Sequence, residues 1–200
     1  MLLPLLLIFI LPSSWADIKP FWKSKEKVYE RIKQGEVIVS AKSKNDVLEV
    51  QGGGHVEAPR EFVIAQTLDF ENLPKASSYI EFAKFDAAAQ KLKLKIAAFG
   101  HRAELLMKVK VDRNANPPRL EYEVLEGALV GMTGVLSFAE INPMRTEVGI
   151  FSQFNYGALS VPRIFVEFGF EVVFQRMAIN LKNRVEHEYK NSKENRKTGL

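Results

Sequence analysis

Between Glu36 and Tyr156 apolar and polar residues alternate in short runs, the period-two signature of strands that bury one face. EVIVSAKS, the turn Lys44-Asn45-Asp46 and VLEVQGGGHVEA predict a hairpin. SSYIEFAKFD, KLKLKIAAF, AELLMKVKVD, RLEYEVLE, MTGVLSFAEI and TEVGIFSQFNY follow, separated by AAAQ, Gly100, RNANPP, the Gly127 to Gly131 segment and NPMR. Junctions this short join antiparallel neighbours, so the expected sheet is antiparallel with its strands adjacent in sequence order.

The period changes to a helical one in three places. Residues 22–34, WKSKEKVYERIKQ, have only Trp22, Val28, Tyr29 and Ile32 as apolar anchors and stop at Gly35, which predicts a short surface helix. PREFVIAQTL, opening at Pro59, and DFENLP, with Asp69 as its cap and Pro74 as its close, predict two short helices after the first strands. The last element runs from Pro162 to Lys190, on the order of 40 Å if unbroken. Its first two-thirds are apolar nearly all round, through Ile164, Phe165, Val166, Phe168, Phe170, Val172, Val173, Phe174, Met177 and Ile179, so the rest of the fold must enclose it. KNSKENRKTGL beyond it reads as a disordered basic tail, residues 190–200.

Residues 2–11, LLPLLLIFIL, are too short to span a bilayer core, which needs roughly twenty helical residues. Small residues at Ser14 and Ala16 then suit a signal peptidase cut after Ala16. The expectation is a signal peptide over 1–16, an N-terminal helical extension over 17–35, one domain over 36–189, and a periplasmic or secreted address. No Lys or Arg precedes the apolar run, and an uncleaved N-terminus tethering the domain to the membrane is the alternative. The chain has no cysteine, which excludes disulfides, thiolate chemistry and a lipoprotein signal. A composition of 46% hydrophobic and 26% charged residues is that of a globular fold, and a net charge of +4 is too small to argue for nucleic acid.

Candidate chemistry is sparse. Gly52, Gly53 and Gly54 lack the Lys-Ser/Thr and the following helix of a phosphate loop, which leaves a bulge or bend in the strand. His55, His101 and His187 have no metal-ligand spacing, so neither a metal nor another cofactor is expected. His101, with Arg102 and Glu104 after Gly100, is either a general base aimed into a cavity or part of a strand-end cluster in water. No nucleophile signature occurs. Alternation along TEVGIFSQFNY puts Val148, Ile150, Ser152, Phe154 and Tyr156 on one sheet face, opposite Glu147, Phe151 and Gln153. Ser152 and Tyr156 are either polar contacts for a mostly apolar ligand or satisfied core hydroxyls.

Three stretches in order carry a family resemblance. EAPREFVIAQTLDFENLPKASSYI (57–80), EYEVLEGALVGMTGVLSFAEINPMRTEV (121–148) and VPRIFVEFGFEVVFQRMAINLKNRVE (161–186) resemble segments of the START/SRPBCC superfamily, most like its polyketide cyclase/dehydrase and lipid-transport branch. The resemblance covers about residues 36–189. It implies an α+β helix-grip fold, a curved antiparallel sheet wrapped around the long C-terminal helix with two short helices after the first strands. It also implies a hydrophobic cavity between sheet and helix. Phe165, Phe168, Val172, Ile164, Phe154, Tyr156, Ser152 and Tyr122 are the candidate ligand-binding residues. The function expected is an exported, non-enzymatic carrier or sensor of a lipid, quinone or polyketide-like molecule, with peripheral membrane contact. The alternative is a cyclase/dehydrase-type enzyme using His101.

Overall fold

A computed structural model describes residues 20–98, 100–157 and 163–198, so the stretch read as a signal peptide lies outside the described residues. Helix α1 spans Glu26–Lys33, and strands β1 (Ile38–Lys44) and β2 (Val47–Val56) form the expected hairpin. Its two-residue turn places Asn45 (φ 51°) and Asp46 (φ 60°) in the left-handed region, which these short polar side chains tolerate and which matches the twist of the strands. Helix α2 (Arg60–Thr67), a 3-10 turn at Phe70–Asn72 and the one-turn helix α3 (Leu73–Ala76) follow. Then come β3 (Ile80–Asp86), β4 (Lys91–Ala98), β5 (His101–Asp112), β6 (Arg119–Gly127), β7 (Thr133–Asn142), β8 (Arg145–Asn155) and α4 (Arg163–Thr198).

The eight strands form one antiparallel sheet in the order β1-β2-β8-β7-β6-β5-β4-β3. Sequence neighbours pair everywhere except between β2 and β3. There α2, the 3-10 turn and α3 carry the chain to the opposite edge, and β8 returns to lie beside β2. Asp69 does not cap a backbone N–H as expected. It accepts from Asn72 Nδ2 (2.9 Å) and pairs with Arg184 on α4 (2.8 Å), a long-range tie that outcompetes the local one.

The glycine triplet does not make a bulge. The register of β2 runs unbroken from Val47 to Val56 against β8, and each glycine leaves room for a neighbour instead. A Cβ on Gly52 would stand 2.8 Å from Val39 Cγ2, and one on Gly54 3.0 Å from Val37 Cγ2. On the other face, a Cβ on Gly53 would stand 2.7 Å from Trp22 Cε2.

Helix α4 lies across β1 and β2 on the inner face and meets α2 and α3. Arg184 also donates to the Asn72 carbonyl (3.1 Å), and Tyr189 packs its ring 5.1 Å from that of Phe62 on α2. The helix does not stop at Tyr189 but continues through the residues read as a disordered tail, to Thr198. Lys, Glu, Asn and Arg there carry no helix breaker before Gly199, and Ser192 and Lys193 both fold back onto Tyr189. A second tie binds α4 to the sheet edge. Glu171 accepts from Ala41 N (3.1 Å), Glu167 from Ser43 N (2.6 Å), and Gln175 donates to Val37 O (3.3 Å).

Candidate functional site

Register assigns the two faces of the sheet. Leu48, Val50 and Val56 of β2 stand opposite Phe154, Ser152 and Thr146 of β8, and this face continues through Gly134, Leu136 and Phe138 of β7 to Leu120 and Tyr122 of β6. It faces α4 and carries the main core. Inward direction does not bring full burial, however. Met107, Val111, Leu136 and Val148 remain half-buried, as do Phe170, Phe174 and Met177 on α4. Half-burial is local: α4 lies across β1 and β2, yet Leu92 and Leu94 of β4, Leu105 and Val109 of β5, and Leu120 and Val124 of β6 are fully buried on the same face. The half-buried apolar side chains thus form a partly open strip, or groove, beside the rings of Phe154, Phe170 and Phe174, each 6.0 Å from the next.

One polar pair is enclosed in this face, with Ser152 fully buried. Gly134 lies between Tyr122 and Ser152 in the register, and any side chain there would collide with the Tyr122 ring. The ring therefore crosses β7, and its hydroxyl hydrogen-bonds the Ser152 hydroxyl on β8. Burial pushes the Tyr122 phenol up to about 12, although the bond to Ser152 works in the opposite direction.

The other site candidates fall into three groups. Phe154 and Tyr156 are buried core residues, and Val172 is half-buried. Ile164 and Phe168 are 70% and 63% exposed, so they face solvent at the start of α4 rather than the groove. The helix turns its Val166–Phe170–Phe174 stripe inward, which puts positions 164 and 168 on the opposite side. The Phe165 side chain lies outside the described residues. His101 is exposed at the start of β5, and its polar neighbours are engaged on the outer face. Arg102 pairs with Glu81 (2.8 Å), and Glu104 pairs with Lys93 (3.0 Å) and Lys95 (2.8 Å).

The outer face holds a cluster that pattern reading does not find. Trp22, 3% exposed, lies flat over Gly53 and Gly149, with Val135 and Phe151 buried nearby. Glu147 and His55, a cross-strand pair 3.5 Å apart, are buried beside it, and Lys23 reaches Glu147 at 2.7 Å. Burial raises the Glu147 carboxyl, but His55 and Lys23 outweigh this and hold it below its ordinary range. A cleft of about 270 Å³ opens next to Trp22, between Lys23 on one side and Pro117 and Arg119 on the other. Among the described residues no group of three His, Cys, Asp or Glu is placed to hold a metal ion.

This arrangement, a curved antiparallel sheet with a long C-terminal helix laid across it, is the α+β helix-grip fold. It is the fold of the START/SRPBCC superfamily. A START superfamily protein from Mycobacterium smegmatis is similar, with a TM-score of 0.61 at 19% identity over 70% of this chain and 97% of its own. A protein from Thermus thermophilus gives 0.60 at 20% identity over 68% and 96%. The Zhui aromatase/cyclase from a Streptomyces species gives 0.59 at 18% identity over 72% and 94%. No family model and no curated protein matches the sequence.

Proposed function

We propose that this protein is an exported carrier or sensor of a hydrophobic small molecule, held in the groove between α4 and the inner face of the sheet. The observation that carries the reading is the set of apolar side chains that face inward yet stay half-buried, Met107, Val111, Leu136, Phe170 and Phe174. An apolar molecule that covered these side chains would be stabilised by about 25 cal/mol per Å² removed from water. The fold neighbours include a START superfamily protein and aromatase/cyclases, and a fold shared with them is compatible with binding a hydrophobic molecule or with cyclase chemistry. Carriage has more support from the groove itself. His101 stands in solvent, and a Tyr122 phenol raised to about 12 stays protonated and is a poor general base.

Export rests on the apolar run and the small residues before Asp17 in the sequence. Among the described residues no helix is long and apolar enough to cross a membrane. Exposed Ile164 and Phe168 at the start of α4 favour brief contact with a membrane during loading. The deciding experiment is native mass spectrometry of protein purified from the cell envelope, together with titration of a neutral fluorescent probe. A co-purified apolar molecule, or saturable probe binding abolished by filling the groove, supports the reading. No co-purified molecule and no saturable binding refutes it.

A further inference from the structure

We propose that the outer-face cleft beside Trp22 is a second ligand site, separate from the groove, and that it takes a neutral saccharide unit about one ring in size. The cleft is a trough along β7. Alternation turns Val135, Ser137 and Ala139 outward, and the register sets Ser137 between Arg119 of β6 and Gly149 of β8, so small side chains make a low floor. Trp22 and Lys23 wall it on one side and Asn116 and Pro117 on the other, and Lys23, Asn116 and Pro117 are exposed, so the trough opens to solvent between them. Its volume of about 270 Å³ is just under the ~300 Å³ at which small-molecule pockets begin, which gives room for one ring and its substituents.

The chemistry of the lining narrows the class. Its charges are already paired, Lys23 with Glu147 (2.7 Å) and Arg119 with Glu121 (2.9 Å) and Asp112 (3.8 Å), so an ionised ligand would have to break a pair to gain a counter-ion. The polar side chains left over are neutral. The Gln51 and Asn116 carboxamides and the Ser137 hydroxyl bond to no other group among the described residues, and all three residues keep surface open to solvent. A purely apolar ligand would strip water from them and return nothing. Each of the three can both donate and accept, as a sugar hydroxyl does, and a ring carrying several hydroxyls can meet all of them at once. The C–H faces of such a ring find apolar surface at Val135, Ala139 and Pro117. An extended peptide is disfavoured, because β6, β7 and β8 are paired on both sides and offer no backbone edge for a strand to join.

The test titrates the full chain calorimetrically with the methyl β-glycosides of glucose, galactose, mannose and N-acetylglucosamine, and with glucuronate and cyclohexanol as a charged and a hydroxyl-poor six-membered ring. At least one glycoside is expected to bind saturably at millimolar concentration, and at least tenfold more tightly than glucuronate or cyclohexanol. Gln51→Ala, Asn116→Ala and Ser137→Ala, checked for native circular dichroism and melting, should each weaken it about fivefold, the worth of roughly one neutral hydrogen bond. Ala139→Phe, checked in the same way, should abolish it by filling the trough. Binding of Nile red, a neutral fluorescent probe, in the inner groove should stay unchanged in all of these variants, and a matching loss would make the two sites one and overturn the proposal. Glucuronate bound as tightly as the glycosides marks an anion site and overturns it, and cyclohexanol bound as tightly marks an apolar one and does the same. Glycoside affinity unchanged in every variant, or no saturable binding of any glycoside, overturns it as well. The carrier reading stands or falls separately, with the Nile red titration of the wild type.

Discussion

The two faces of this sheet are covered by helical segments from opposite ends of the chain, and the covers differ in completeness. On the outer face Trp22 sits on two glycines with no space between ring and backbone, and Lys23 closes on a carboxylate that is itself buried. On the inner face a helix much longer than α1 lies across β1 and β2 and leaves Met107, Leu136 and Val148 half-buried among fully buried Val109, Leu120 and Val124. Each face joins packed and open parts: the cleft of about 270 Å³ lies beside the seated Trp22 on the outer face, and half-buried Met107, Leu136 and Phe170 lie among fully buried Val109, Leu120 and Val124 on the inner one. Cores are close-packed unless space is kept for something else.

Substitutions on each face separate the two. Trp22→Ala is expected to cost the most, about 3 kcal/mol in chemical denaturation, at the low end for a buried tryptophan because residues 20–34 can undock instead of leaving a void. Its probe binding in the groove should stay at wild-type affinity; a parallel loss would mean that the two faces are not independent. Gly149→Leu should cost about 2 kcal/mol through overpacking, since a Cβ there already stands 2.9 Å from Ser137 Oγ and 3.1 Å from the Trp22 ring.

Glu147→Gln should cost roughly 2 kcal/mol, because Lys23 and His55 lose the charge they face. The same carboxylate predicts a pH dependence confined to the outer face. Because Glu147 titrates below its ordinary value of 4.5, its contribution is complete above that value and is lost as the pH falls through the lower folded one. Amide exchange of residues 20–34 should therefore accelerate in acid in the wild type, and the additional acceleration should vanish in Glu147→Gln. Leu136→Trp is expected to have the smallest effect on stability, under about 1 kcal/mol, because the side chain is only half-buried and a larger ring can extend toward solvent. It should nonetheless weaken Nile red binding at least tenfold. A destabilisation as large as that of Gly149→Leu would show the groove to be filled.

The architecture is legible in the sequence because local signals set it. Period-two alternation marks the strands, Asn45-Asp46 the tight turn, and Pro59 the start of α2. Pairings made across the sheet are not legible in that way. Alternation matches Ser152 with Tyr156, its neighbour on the same strand, whereas its partner is Tyr122, two strands away across a glycine. The β6–β7 and β7–β8 registers expose that triplet, but single-sequence alternation fixes a face and not a register. Ile164 and Phe168 are misplaced by pattern reading for a related reason. A helix that is apolar all round gives no moment to tell its inner side from its outer one. Trp22 and the glycine triplet are each visible alone, and only the folded chain shows that one explains the other.

The contacts of Glu167, Glu171 and Gln175 with β1 bear on how the chain avoids aggregation. An outermost strand is a template on which another copy can add, and here three side chains spaced one helical turn apart occupy its free amide and carbonyl groups. The segment that supplies them follows every strand in the sequence, so during synthesis the sheet can form before its open border is protected. A chain interrupted before Arg163 would keep that border exposed together with the bare apolar face. Such a fragment should self-associate through β1, and a separately supplied peptide spanning residues 163–198 should suppress this.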